Sequence, residues 1–372
     1  MSNQHTSSSD LPNGNERIAA LGWDQPDRQN AFTAWIQPLT ATYGLDLNQL
    51  SNASADASFR RYFRVCSASE SFIIMDAPPD KENCQPFVDI AECLMNAGVK
   101  VPRILNWDAA QGFMLLEDLG LHTMMQQLSS TNESHPLALF EQATDTLLMI
   151  QQVNPPNWLG LYDEALLKKE LGLFEEWYVK AHLQQTLTPA QHQKLHGVFD
   201  LLVKHNLASP QVFVHRDFMP RNLMVSNPSG PNALGVLDFQ DAVLGPITYD
   251  IASLMRDAFV SWDEDFCLDV TVRYWHKARA AGLLDFEDWH ADFGAFYRAV
   301  EWMGLQRHLK VAGIFARLTL RDHKPKYLAD TPRFINYIRT TAARYKELSP
   351  LLRLLDELQG STPASGYFFG RL

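Results

Sequence analysis

Apolar residues recur along this chain with two different periods, and the change of period divides it. Over residues 16–43 they fall three and four apart (Ile18, Leu21, Trp23, then Phe32, Trp35, Ile36 and Leu39), which is the spacing of one or two amphipathic helices. A small, polar run over 51–58 then reads as a loop. Short alternating or continuous apolar stretches at 59–65, 71–79, 104–107 and 113–116 predict strands. Between the second and third of these, 84–97 returns to helical spacing and stops at Gly98, a residue suited to the left-handed position after a helix. Beyond residue 120 the helical period dominates, over 137–153, 166–182 and 189–205. Three more apolar runs, 212–214, 223–225 and 234–237, predict strands, with an Asn/Pro/Ser/Gly turn over 226–232 between the last two. Helical spacing resumes at residue 251 and recurs through 266–355, including one long periodic stretch that carries Trp302, Met303, Gln306, Arg307, His308, Lys310 and Arg317. Trp158 and Trp177 read as core or interface residues rather than an exposed aromatic platform for a ligand. The pattern is that of an α+β chain with a small strand-rich part and a large, mainly helical part.

Composition narrows the classes open to it. A length of 372 residues suits two lobes with sizeable cores. A hydrophobic share of 46% with 20% charged residues is that of an ordinary globular protein. The net charge of -11 argues against a nucleic-acid partner, since phosphate backbones call for clustered Lys and Arg. No apolar run approaches the roughly 20 residues that span a bilayer. Residues 1–15 are polar without an apolar signal core and read as a disordered tail, and 361–372 as a second tail. The four cysteines show neither metal-ligand pairs nor disulfide spacing, so a cytoplasmic monomer is expected.

The densest chemistry lies between residues 212 and 250. A strand over 212–214 leads into His215, Arg216 and Asp217, and Asn222 follows with four residues between it and Asp217, giving H-R-D-x-x-x-x-N. The third of these strands, 234–237, ends at Asp238. This is the spacing of a kinase catalytic loop followed by a strand-borne metal ligand. Phosphoryl transfer needs positioning and charge neutralisation more than covalent chemistry. Asp217 would accept the proton of an acceptor hydroxyl, while Asn222 and Asp238 offer the hard oxygens that Mg²⁺ takes. Taken one at a time, the same residues could form a buried turn network around His215 with Asp238 capping a turn; their joint spacing favours the chemical reading.

The segments HRDFMPRNLMV and GVLDFQDAVLGPITYDIASLMRD resemble the aminoglycoside phosphotransferase family, which shares the protein-kinase fold. Within it the likeness is to bacterial anomeric sugar kinases of cell-wall recycling, and it runs from Asp56 to the stretch beginning at Glu301. The resemblance implies an ATP- and Mg²⁺-dependent enzyme that phosphorylates the C1 hydroxyl of N-acetylmuramate or N-acetylglucosamine. It implies an N-lobe over 16–116 with an N-terminal helix, a hinge over 117–120 and a helical C-lobe over 121–360. Leu116, Glu117 and Leu119 would present main chain to the nucleotide base. Ser58 would lie in the phosphate loop, although no G-x-G-x-x-G is present. The usual phosphate-binding Lys is also missing, with Asp76 in its strand. Either Arg60 or Arg61 then supplies the positive charge, or Asp76 positions an arginine; Glu92 is a candidate partner for a hairpin arginine. His215 and Asp250 would be structural, Asp250 tying its helix to the catalytic loop, and Asp241 would support the metal ligands or a turn. Arg221, Gln240, Arg307 and His308 are candidate sugar contacts, the last two on a cationic face that could receive a lactyl carboxylate. Other small-molecule kinases, acting on aminoglycosides, choline or another sugar, share these features. A nucleotide-binding pseudokinase is the alternative from a different class.

Overall fold

Side-chain alternation organises the first part of the molecule. The computed structural model describes residues 13–54, 59–130, 136–225, 234–257 and 259–360, in two compact units. The first is built on residues up to His122, to which Met224 and Gly235–Gln240 return. Helix α1 (Gly14–Ala19) starts from a capping box between Asn13 and Glu16, and α2 (Pro26–Tyr43) begins with Pro at its first turn and ends at Gly44 in the left-handed region. Strands β1 (Asp46–Ser54), β2 (Arg61–Cys66) and β3 (Ser71–Asp76) lead to α3 (Gln85–Asn96), β4 (Ile104–Asp108) and β5 (Phe113–Glu117). The five strands form one sheet in the order β1-β2-β3-β5-β4, every neighbouring pair antiparallel.

Every second residue of the central strands points to one face: Phe63 and Val65, Phe72 and Ile74, Phe113 and Leu115. Phe32, Ile36 and Leu39 of α2 close over them with Ile18 of α1. The ring of Phe32 meets Phe63 and Phe113 edge-on at 5.9 and 5.5 Å. Strand β1 is a departure from the sequence expectation, which made 51–58 a loop. Residues 51–54 continue a strand against β2 with two register shifts, because pairing with β2 satisfies a backbone that its small polar side chains alone would not order. The expected nucleotide-loop residue Ser58 lies outside the described residues.

The second unit is mainly helical. It contains α4 (Met124–Ser130), α5 (Leu137–Gln151), α6 (Glu164–Leu173), α7 (Pro189–Ala208), and β6 (Gln211–Val214). The chain then passes through β7 (Leu223–Met224) and β8 (Gly235–Val236), which pair with each other and, Leu223 apart, count with the first unit, before β9 (Val243–Pro246), the antiparallel partner of β6. Helices α8 (Thr248–Met255), α9 (Glu264–Ala280), α10 (Phe293–Leu320), α11 (Thr331–Arg344) and α12 (Ser349–Gln359) complete it.

The periodicity over 166–182 predicted one helix, but the chain changes winding: α6 ends at Leu173 and Phe174–His182 is π-helical. A nine-residue apolar pattern is too short to reveal the added residue per hydrogen-bonded turn. Neither α4 nor β9 was expected from the sequence. Trp158, expected in the core or at an interface, is exposed, which rules out the core.

Helix α10 is the axis of this unit, with Phe296, Trp302, Met303, Leu305 and Leu309 buried. Where it passes α6 the backbones come so close that a Cβ on Gly313 would lie 2.3 Å from the Leu173 carbonyl oxygen. Backbone cannot move aside as a flexible side chain can. Gly313→Ala is therefore expected to destabilise the protein by about 1–3 kcal/mol, as overpacking does, and a thermal-unfolding midpoint equal to wild type would contradict this contact.

Candidate active site

The loop after β6 is shaped by one carboxylate. Asp250, fully buried at the start of α8, accepts the His215 N–H at Oδ2 (2.7 Å) and the Arg216 N–H at Oδ1 (3.0 Å). Receiving two successive N–H groups forces a sharp turn, and Arg216 takes φ +77°, a left-handed conformation that non-glycine residues rarely adopt. The turn is closed by the Asp217 N–H donating to His215 Nδ1 (3.2 Å) and by Asn222 Nδ2 donating to the Asp217 carbonyl (2.9 Å). Residues Pro220–Asn222 form one 3₁₀ turn, so the four-residue spacing in D-x-x-x-x-N folds the Asn back onto the Asp.

Cations gather around this loop. Arg307 Nη1 donates to the Arg216 carbonyl (2.9 Å), and its guanidinium lies 4.6 Å from the Tyr249 ring centroid. Arg216 Nη2 and Lys310 Nζ both reach Glu170 Oε1, at 2.9 and 2.8 Å, and Tyr162 OH donates to the other Glu170 oxygen. Lys310 Nζ also donates to the Tyr249 hydroxyl (3.2 Å). Burial acts to raise the Asp217 carboxyl, but the charges of Lys310, Arg307, His215 and Arg216 outweigh it and hold the group below its ordinary 3.8. Asp217 is thus a carboxylate throughout the neutral range. Burial pushes the Asp250 carboxyl up, while burial at Glu170 is overcome by Lys310.

The cationic face expected on α10 is only partly cationic. His308 is buried, its ring stacks on Tyr337 at 4.8 Å, and burial pushes it down to about 3, so it is neutral. Arg307 is buried against the loop that follows β6. Arg221 is partly exposed, with its guanidinium 4.9 Å from the Phe259 ring centroid.

The first unit carries its own polar cluster. Asp76, at the end of β3, is fully buried and is held by two arginines. Arg28 Nε and Nη2 donate to Oδ1 at 3.0 and 2.6 Å, and Arg61 grips Oδ2 through Nε (2.9 Å) and Nη2. The Arg61 guanidinium stacks over Trp23 at 4.2 Å, and Arg28 over Phe113 at 3.9 Å. Two guanidinium groups on one carboxylate leave the cluster with one net positive charge. Arg60 pairs with Glu82 (3.1 Å). Glu92, weighed as an arginine partner, is exposed.

At the end of β5, Asp118 accepts from Arg64 Nε (2.7 Å), from Ser71 Oγ (2.8 Å) and from the Gly120 N–H (3.0 Å), which fixes the path of 117–120. Glu117 pairs with Arg103 (2.8 Å). The side chains of Leu116 and Leu119 are buried, and a Cβ on Gly235 would meet Leu119 at 2.7 Å. Asp238 is exposed at φ +63°, and Gln240 Nε2 donates to its Oδ1 (2.8 Å). The next residue, Phe239, is buried and stacks on Phe87 of α3 at 4.8 Å, which anchors the strained turn. Asp241 is exposed; its carbonyl, rather than its carboxylate, accepts from Arg216 Nη1 (3.3 Å).

Sequence reading passed over Glu170, Tyr162, Tyr249 and Arg28, and took Asp118 only as part of the hinge. Two of these left a signal. Glu170 occupies the apolar phase of α6 set by Leu167, Leu171 and Phe174, and Arg28 precedes Phe32 by one turn on the buried face of α2.

A sequence description of the "Phosphotransferase enzyme family" matches residues 49–292. The chain belongs to that family. A Pseudomonas putida protein, "N-acetylmuramate/N-acetylglucosamine kinase", is 50% identical over 315 residues, covering 85% of this chain and 90% of its own. A Neisseria meningitidis protein of the same name is 45% identical over 335 residues, covering 90% and 96%. Among solved structures, ADP-bound aminoglycoside phosphotransferase APH(2'')-Ib superposes with a TM-score of 0.54 at 14% identity, covering 81% of this chain and 96% of that one. That likeness bears on the fold, an α+β kinase-like architecture, and on nothing finer. Among the described residues, no helix of this phosphotransferase is long and apolar enough to cross a membrane.

Lys310 is the charge that most lowers the Asp217 carboxyl. Lys310→Met should raise the Asp217 pKa, so that the carboxylate protonates at a higher pH than in wild type. A ¹³C-NMR titration of the Asp217 carboxyl carbon reads this directly, and an unmoved midpoint would contradict the electrostatic assignment.

Proposed function

We propose that this phosphotransferase moves the γ-phosphoryl group of ATP to the anomeric C1 hydroxyl of N-acetylmuramate and N-acetylglucosamine, in the cytoplasm, as part of cell-wall sugar recycling. The observation that carries the reading is the half-identity, over nearly the whole length of both chains, to the Pseudomonas putida kinase of that name. The four cysteines, all free thiols, are in keeping with a reducing compartment.

In this reading Asp217 is the general base. An anomeric hydroxyl is more acidic than an ordinary alcohol, so a carboxylate kept ionised by its neighbours suffices to take the proton. His215 and Asp250 act through the loop geometry, not on the substrate. Asn222 and Asp238 are the proposed Mg²⁺ ligands, and their donor chemistry suits the ion. The Asn222 Nδ2 donates within the loop, so its carboxamide oxygen is the atom a cation would meet. When bound, magnesium supplies charge neutralisation on the nucleotide phosphates.

The positive charge that kinases draw from a strand lysine is assigned here to the Arg28–Asp76–Arg61 cluster, with Arg61 the more exposed arginine at 31% against 15%. Ser58 and Arg60 belong to the same nucleotide region by the motif alone. The stretch 117–120, with Leu116, Glu117 and Leu119 beside it, is the proposed hinge that presents main chain to the nucleotide base. For the sugar, Arg221 is the better-placed candidate for a lactyl carboxylate, with Gln240 beside Asp238; burial and neutrality argue against His308 in that role.

Incubation with ATP and a panel of N-acetylmuramate, N-acetylglucosamine, their 1-O-methyl glycosides, choline and kanamycin tests this. Phosphorylation of the two reducing sugars and none of the methyl glycosides is expected by ³¹P NMR. Equal turnover of the methyl glycosides, or turnover of choline or kanamycin alone, would overturn it.

A further inference from the structure

A second cluster of metal-ligating side chains stands apart from the catalytic loop. On the first turns of α7, His192 and His196 are one helical turn apart, and their rings stack at 4.0 Å with planes 21° apart. Glu175, in the first turn of the π-helical segment Phe174–His182, faces both. Its Oε2 lies 2.7 Å from His196 Nε2 and its Oε1 lies 3.7 Å from His192 Nε2. One ligand atom from each of the three residues lies within 4.8 Å of the other two.

We propose that Glu175, His192 and His196 form a binding site for a divalent transition-metal ion, with Zn²⁺ the best fit. Two imidazole nitrogens and one carboxylate oxygen are the borderline donor set that zinc takes, and that nickel and copper share. Metal–ligand bonds of about 2.0–2.2 Å draw the three atoms closer than the 4.8 Å spread seen here, and the stacked rings turn so that both nitrogen lone pairs face the ion. Two of the ligands come from consecutive turns of a single rigid helix, so little ordering is needed.

Burial suits entry by an ion from solvent: His192 is exposed, and Glu175 and His196 are half-buried. Among the described residues, the ion-pair partners of the carboxylate are the two histidines themselves, with no lysine or arginine competing for it. The consequence is a clamp. The π-helical segment continues from α6, which carries Glu170 of the catalytic cluster, so an ion tying that segment to α7 holds the helical unit together away from its chemistry. The ion stabilises the native state by mass action, because the unfolded chain does not present the three ligands together.

The test is titration of the metal-free full-length protein with Zn²⁺ in excess Mg²⁺, which keeps oxygen-only sites saturated. One ion per chain is expected to bind by calorimetry, with a rise in the thermal midpoint that Mg²⁺ alone does not give. Loss of a ligand in His192→Ala, His196→Ala or Glu175→Gln should weaken Zn²⁺ binding by at least about 10-fold, the loss that even a supporting contact beyond the ligands causes. The double histidine variant should lose it. Kinase activity without zinc checks that these variants are folded, and Cu²⁺ bound to wild type should show coupling to two nitrogens by electron paramagnetic resonance. Unchanged zinc affinity in the variants, or no binding to wild type at micromolar zinc, would overturn the site. These outcomes do not depend on which sugar the enzyme phosphorylates.

Discussion

The helical unit's chemistry depends on the buried carboxylate of Asp250 receiving the N–H groups of His215 and Arg216. Holding Arg216 in the left-handed region costs about 1–3 kcal/mol. Two hydrogen bonds to a charged acceptor are together worth about 3–6 kcal/mol, enough to hold the turn. The cost of burial falls on Asp250, whose carboxyl is pushed up as a result. The benefit appears at Asp217, whose backbone direction is set by the turn before it and whose carbonyl is tied to Asn222 after it.

Charge balance does the rest. Asp217, Asp250 and Glu170 face Arg216, Arg307 and Lys310, three anions against three cations in a largely buried cluster. Glu170 takes two of the cations as direct partners, so they are held in place without pairing directly with Asp217. Their field still reaches Asp217 and keeps it ionised. A direct ion pair would have occupied the carboxylate oxygens. The first unit uses the same device in reverse: one buried anion, Asp76, organises two arginines and leaves a net positive charge.

Much of this was legible in the sequence, because the relevant signals are local. Strand and helix periods located most elements, and the spacing from His215 to Asn222 singled out the loop. Residues 51–54 were not legible as strand, since small polar side chains carry no alternation and the order comes from pairing with β2. The π-helical segment and α4 were hidden for similar reasons of length. Arg61, 15 residues from Asp76, fitted the expectation of an arginine positioned by that carboxylate, but Arg28 and the Glu170 partner of Arg216 were harder, because they lie 48 and 46 residues away along the chain. Only the charged residue on an apolar stripe, Glu170 or Arg28, hinted that a buried ion pair was waiting for its other half. His308 misled because helical position says nothing about whether a histidine keeps its proton; burial against Tyr337 decides that.

The account stands on Asp217 acting as a carboxylate base at the acceptor hydroxyl. The most direct measurement is single-turnover phosphoryl transfer to N-acetylmuramate by Asp217→Asn, alongside calorimetric binding of ATP. Loss of a positioned base predicts a rate about 10²–10⁴-fold lower with ATP binding retained. Transfer at a near-wild-type rate would remove Asp217 from the chemistry and the account with it.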